Sequence, residues 1–146
     1  MSPWPLPSRP AQAVLFKLVW VAQALGLLRL GAWLARRRLL PGPLAVLAAN
    51  PPRVPLQSFR ARHRVTVFPA KGTRRRRVAL FTGCVADHLF AVVNEATVRA
   101  LTENGCDVEV LANERCCGAL HIHNGARDFA QDLARDNIRA FAAGGY

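Results

Sequence analysis

Four cysteines stand in this 146-residue chain, at positions 84, 106, 116 and 117, and they are the residues best suited to chemistry. Cys84 follows Gly83 at the end of the apolar run Val78–Thr82, and Cys116-Cys117-Gly118 follows the alternating run Asp107–Leu111. Thirty-one residues separate Cys84 from Cys116, roughly one strand–helix–strand repeat. Thiolates are soft ligands for zinc or iron–sulfur clusters, so three that converge suggest a metal or cluster site at Cys84, Cys116 and Cys117. Zinc with His121 or His123 is the rival. Those histidines lie two apart, so on a helix they face differently, whereas Cys117 and His121 would share a face. A disulfide framework finds no support, because nothing indicates secretion, and a vicinal Cys116–Cys117 bridge would be strained. Thiol catalysis is weaker still, with no histidine clearly set beside one activated cysteine. Spacing favours a ligand role over purely structural thiols.

The elements that must position these sulfurs read as strand, helix, strand, helix. Val78–Thr82 is a short buried strand ended by Gly83. A helix is expected from about Asp87 to Asn104, with Leu89, Val92, Val93, Ala96 and Ala100 on one stripe and Glu95, Arg99 and Glu103 opposite. Asn104-Gly105 stops it, Asp107–Leu111 forms the second strand, and a last helix covers about Ala126 to Ala142. This order implies an α/β fold, a partial parallel-sheet β-α-β-α unit with right-handed crossover. Neighbouring strands lie about 4.8 Å apart, so sulfurs just past two strand ends can meet at the edge where such sheets bind ligands. The helix N-termini that follow would favour thiolates. Cys106 precedes the second strand, at the opposite edge, and reads as a buried or half-buried free thiol. Two strands alone make a marginal sheet, so the fold looks unfinished.

The averages of composition hide a division. Residues 1–77 hold 15 Lys/Arg, no acidic residue and all ten prolines, whereas residues 78–146 hold five Arg, nine acidic residues and every cysteine. The net charge of +11 is therefore +15 in the first part and −4 in the second. Two domains are expected on this basis, a helical Pro/Arg-rich connector over 1–77 and the cysteine-bearing domain over 78–146. The prolines of positions 3–10 bar a helix before residue 10, and Ala11–Leu40 suits one. Its longest uncharged stretch, Leu18–Leu28, falls short of the roughly 20 apolar residues of a membrane span. Packing on a partner or lying on a membrane surface is the better expectation. Pro41-Gly-Pro43, Pro51-Pro52 and Pro55 mark a linker. Arg60, Arg62 and Arg64, then Arg74–Arg77, read as solvated linker. No aromatics interleave with the Arg74–Arg77 run to stack bases, so nucleic acid is not expected as a partner.

Thr82-Gly-Cys-Val85, Val93–Arg99, Asn104–Val110 and Cys116-Cys-Gly-Ala-Leu-His-Ile-His-Asn-Gly125 resemble the iron–sulfur subunit of bacterial glycolate oxidase. More broadly, they resemble the cysteine-rich CCG domain shared with heterodisulfide reductase and lactate-utilisation proteins. The likeness runs over about residues 76–143. It implies an iron–sulfur cluster of the 4Fe-4S type with Cys84, Cys116 and Cys117 as motif ligands and no catalytic residue. It also implies electron transfer from a flavoprotein subunit in a glycolate or other 2-hydroxy-acid oxidase. The expected location is cytoplasmic, with peripheral contact at the inner membrane left open. The family's further cysteine element and its ferredoxin module have no counterpart here, so the resemblance implies a truncated fragment. A zinc- or thiol-stabilised interaction module without redox activity is the alternative, and a non-functional remnant is another.

Overall fold

A computed structural model describes residues 8–63 and 65–146; the expectations for residues 1–7 and for Arg64 fall outside the described residues. The structure groups into two units: Ala13–Leu56, and Gln57–Tyr146 with the described residues before Ala13. The division expected at residue 77 differs from this grouping, because residues 57–77 pack with the cysteine-bearing part.

The expected helix over Ala11–Leu40 is two helices, α1 (Arg9–Ala24) and α2 (Leu27–Arg36), bent by 70°. The break falls at Gly26, whose φ of 76° is a left-handed conformation open to glycine at little cost. Among the described residues no single helix is long and apolar enough to cross a membrane; the bent pair passes that test only when taken together. Inside the expected linker lies α3 (Gly42–Ala49). Pro43 does not prevent it, because a helix's first turn has no use for the missing N–H. α3 packs on α2, with Gly31 facing Ala48. The Gln23 side chain both donates to and accepts from the backbone of Val54, which ties the end of this unit to α1.

In the other unit, α4 (Phe59–Arg62) and β1 (Val67–Phe68) precede β2 (Arg76–Leu80), α5 (Cys84–Leu89), α6 (Ala91–Glu103), β3 (Cys106–Val110), α7 (Ala119–His123) and α8 (Arg127–Ala142). The sheet order is β1-β3-β2. β2 runs parallel to β3 with Arg76 opposite Cys106 and Leu80 opposite Val110, as an α/β crossover requires. β1 adds an antiparallel strand, Val67 against Glu109, that the sequence pattern does not announce. The sheet is therefore less unfinished than expected. Its core is Phe59, Ala91, Val98, Val108 and Val110, with Phe68, Val78, Leu80, Leu101 and Cys106 packed around it.

The expected helix 87–104 is broken at Phe90 (φ −119°, ψ 37°) into α5 and α6. The buried face of α6 is Ala91, Asn94, Val98 and Thr102, whereas Val92 and Val93 are 64% and 54% exposed. The expected apolar stripe is thus wrong. Two polar residues hold the inner face because each has a partner: Asn94 donates to the Thr82 carbonyl and Thr102 to that of Arg99.

Candidate metal centre

Both strands end just before the residues of interest. After Leu80 the chain passes through Phe81 and a buried Thr82 to Gly83, whose φ of 66° and ψ of 156° lie in a region that is essentially restricted to glycine. That turn delivers Cys84 as the first residue of α5. After Val110 the loop through Glu114 delivers Cys116, which is buried, and Cys117, which is exposed. Gly118 follows at φ 79°, and a side chain there would meet Ala130 of α8 at 3.1 Å. Glycine is thus needed both for the backbone and for the packing of the α7 entry on α8.

The two loops bring Cys84 Sγ to 3.5 Å from Cys116 Sγ, and all four cysteines are free thiols. The hydrogen bond from Cys84 holds Cys116 down, to about 6, against the opposing effect of burial; the backbone at Gly118 and nearby His121 add to the lowering. The same contact, with burial second, pushes Cys84 far up. The contact thus raises Cys84 and lowers Cys116, which makes Cys116 the first of the pair to ionise. The sulfur–sulfur hydrogen bond is the larger cause of this activation, and the backbone at Gly118, the N-cap of α7, contributes beside it. Cys106, at the start of β3, is half-buried against the core and lies in register with Arg76, at the other end of the strand from the loop carrying Cys116.

Of the rival nitrogen donors, His123 is exposed. His121 in α7 is buried beside the Phe129 ring, 4.8 Å between centroids, and both its ring nitrogens are buried with no hydrogen-bond partner among the described residues. Among the described residues no three His, Cys, Asp or Glu side chains gather closely enough to hold one ion. The Cys84–Cys116 pair does fit thiolate ligation. Sulfurs at about 2.3 Å from one tetrahedral metal lie roughly 3.8 Å from each other, so the 3.5 Å pair matches two thiolates on a single metal atom, whereas the cysteines of a 4Fe-4S cluster bind different irons and stand farther apart.

A second cluster, without a signal in the sequence, lies directly beneath these loops. The Glu114 carboxylate, 4% exposed, accepts from Thr82 N–H (3.1 Å), Thr82 Oγ1 (3.0 Å), Gly83 N–H (3.0 Å) and Arg60 Nη2 (2.6 Å). Arg60 Nε also donates to Thr82 Oγ1 at 3.0 Å, and its backbone N–H donates to Asp87 at 2.9 Å. Arg9 donates to the carbonyls of Ala112 and Glu114 on the same loop. The reading of Arg60 as solvated linker is therefore overturned. No local signal could have found this contact, since Arg60 and Glu114 are 54 positions apart in the chain.

The matches to known proteins fall on this part of the chain. The family described as CCG, a cysteine-rich domain, matches residues 78–146. Residues 78–146 belong to the CCG family. The chain is 41% identical, over 106 residues, to the "Probable glycolate oxidase iron-sulfur subunit" of Bacillus subtilis, covering 73% of this chain and 24% of that protein. It is 39% identical over 64 residues to a fumarate reductase (CoM/CoB) subunit of Methanothermobacter marburgensis, 44% of this chain and 13% of that protein. "Lactate utilization protein A" of Oceanobacillus iheyensis is 37% identical over 65 residues, 44% of this chain and 27% of that protein. The chain thus spans about a quarter or less of the length of these relatives. No solved structure matches it. The CCG domain keeps the double cysteine of its name at Cys116-Cys117, and Cys84 faces it from the neighbouring strand end.

Proposed function

We propose that this CCG domain supplies Cys84, Cys116 and Cys117 as thiolate ligands of an iron–sulfur cluster in an electron-transfer subunit. The observation that carries the reading is the unbridged pair Cys84–Cys116, 3.5 Å apart, delivered by two strand-end loops. Similarity to a probable glycolate oxidase iron–sulfur subunit, and to a subunit of a fumarate reductase, supports it. In finer terms, the cluster is of the 4Fe-4S type, the complex oxidises glycolate or another 2-hydroxy acid, and a flavoprotein subunit is the electron source. Bound there, the cluster would take up and pass on single electrons. The chain's own residues would hold it, keep Cys116 deprotonated and shield one side by the buried loops.

Anaerobic reconstitution with iron and sulfide tests this. Visible iron–sulfur absorption is expected in the wild type and in Cys106→Ser. It should be lost in Cys84→Ser and Cys116→Ser and weakened in Cys117→Ser. Absorption that persists in Cys84→Ser would sink the reading. A second reading, a zinc-stabilised module, draws on the unpartnered nitrogens of buried His121 near Cys116. Stoichiometric zinc with no iron–sulfur absorption would favour it.

The same proposal places the chain in the cytoplasm, where thiols stay reduced. It also gives the Ala13–Leu56 unit peripheral contact with the inner membrane. That unit carries Lys17, Arg29, Arg36, Arg37, Arg38 and Arg53 with no acidic residue, and exposes Leu18, Leu25 and Trp33. Flotation with vesicles that contain anionic lipid, but not with neutral ones, is the expected result.

A further inference from the structure

We infer that Arg60 and Glu114 form a buried clasp that sets the gap between the Cys84 and Cys116 sulfurs, which makes both of them positioning residues for the thiol pair. The inference rests on the proposed function only in taking that pair as ligands. Its geometric content stands alone.

The loops that carry the sulfurs lie beyond the sheet ladder, which ends at Leu80 and Val110. Something other than strand pairing must hold them in register. Glu114 stands two residues before Cys116, and Thr82 stands two residues before Cys84. One carboxylate joins them. An ionised carboxylate has about four acceptor positions, and Glu114 receives Thr82 N–H, Thr82 O–H, Gly83 N–H and the Arg60 guanidinium. The Thr82 hydroxyl has one proton to give. It donates to Glu114 and accepts from Arg60 Nε, so the three side chains close a ring of hydrogen bonds. Asn94 then takes the Thr82 carbonyl at 3.2 Å. Arg60 is fixed in turn, because its backbone N–H bonds Asp87 in α5 and Ser58 caps its short helix by accepting from Ala61 N–H. Gly83, bonded through its N–H, leads directly into Cys84. A shift of the Glu114 carboxylate would therefore move Thr82 and Gly83 on one side and the Cys116 loop on the other. Arg60 is the only cation bonded to the Glu114 carboxylate among the described residues, and its planar fork serves Glu114 and Thr82 from two nitrogens in a fixed geometry, which a lysine's single ammonium does not reproduce.

Disulfide formation between the two thiols reads the gap without any metal. Diamide is the oxidant: its N=N bond takes two electrons and two protons and becomes the hydrazine, while Cys84 and Cys116 lose two electrons and the one proton left on the pair once Cys116 is ionised, and join; the second proton comes from solvent. The full chain carrying Cys106→Ser and Cys117→Ser leaves only this pair. Arg60→Ala, Arg60→Lys and Glu114→Ala are each expected to slow bridging by about tenfold or more, the lower end of what outer-shell partners of metal ligands contribute to affinity. Arg77→Ala, which removes an equal charge from the exposed pair with Glu109, should leave the rate unchanged. Bridging within about twofold of the parent in folded Arg60→Lys and Arg60→Ala would overturn the clasp, whatever their melting temperatures. If Glu114→Ala fails to fold by circular dichroism, the two Arg60 variants decide. Reconstitution of the wild type separates the two claims. Failure to assemble a cluster while bridging remains clasp-dependent sinks the ligand reading alone, and unchanged bridging in variants of a cluster-competent protein sinks the clasp alone.

Discussion

The Cys84–Cys116 pair is the most distinctive contact at the residue scale, because two thiols within hydrogen-bonding distance shift each other's ionisation in opposite directions. Cys116 ionises below the ordinary thiol value of 9.0, at about 6, chiefly through the bond from Cys84. In the metal-free protein, thiolate absorbance in the Cys106→Ser, Cys117→Ser background should rise by one equivalent around pH 6. In Cys84→Ala that step should move toward the ordinary thiol range; a step that stays at 6 would mean another group lowers Cys116. The sign follows from the direction. A folded value below the unfolded one makes the Cys116 contribution to stability complete above about 9, and that contribution is lost as pH falls through about 6. Cys84 has the opposite sign: its contribution stands below the ordinary value and is lost as pH rises through its raised one. Glu114 sets the other prediction at this scale. It is buried and paired, so Glu114→Ala, which leaves Arg60 and Thr82 without their acceptor, should cost about 3–5 kcal/mol in urea unfolding, with Arg60 partly relieved by its 19% exposure. A loss below about 1 kcal/mol would place the network among surface ion pairs.

At the scale of elements, β2, β3 and the last helix are legible in the sequence, because each is a local pattern: an apolar or alternating run closed by glycine, or a helical period. Legibility fails where a pattern is interrupted or too short. One helix over 87–104 carries a single phase across Phe90, where the backbone departs from helix. Val92 and Val93 are thereby assigned inward, while Asn94 and Thr102 take the inner face. β1 is two residues long and α4 four, below any detectable period. Phe59 in α4 is nonetheless 1% exposed at the centre of the core. Phe59→Ala should therefore destabilise the unit by about 3–5 kcal/mol, and a chain starting at Val78 should be markedly less stable to urea than one starting at Gln57. Equal stability of the two would restore the boundary at residue 77. Gly83→Ala tests the turn: strain of about 1–3 kcal/mol is expected from its backbone conformation, together with slower Cys84–Cys116 bridging.

Across the whole molecule, the charge division acquires a structural meaning. The basic residues before position 78 meet the acidic residues after it: Arg60 with Glu114, Arg62 with Glu95, Lys71 with Glu103, Arg74 with Asp107 and Arg77 with Glu109. Segments 57–77 and 78–146 are opposite in sign because they are parts of one packed unit. Most of these pairs are exposed, and salt should screen them while leaving Arg60–Glu114 largely intact. Raising ionic strength should thus lower the unfolding midpoint slightly in the wild type, and by less in a Lys71→Ala, Arg77→Ala double variant that lacks two of the exposed pairs. A salt response that vanished only in Arg60→Ala would contradict that assignment. The +15 of residues 1–77 invites partners outside the chain, yet in residues 57–77 five of the basic residues pair within it.

The sequence by itself determined the α/β class, the two parallel strands, the CCG motif and the placement of Cys84 opposite Cys116-Cys117, since each depends on residue type and spacing along a continuous stretch. Only the tertiary structure decided that Arg60, Thr82 and Glu114 close a ring beneath the sulfurs, that Phe59 completes the core and that Cys116 is the first of the pair to ionise. Those outcomes depend on groups 22 to 54 positions apart in the chain meeting in the fold. Chain order carries no period or motif for such a meeting. It arises only when burial removes water and leaves each polar group to find its partner in the fold.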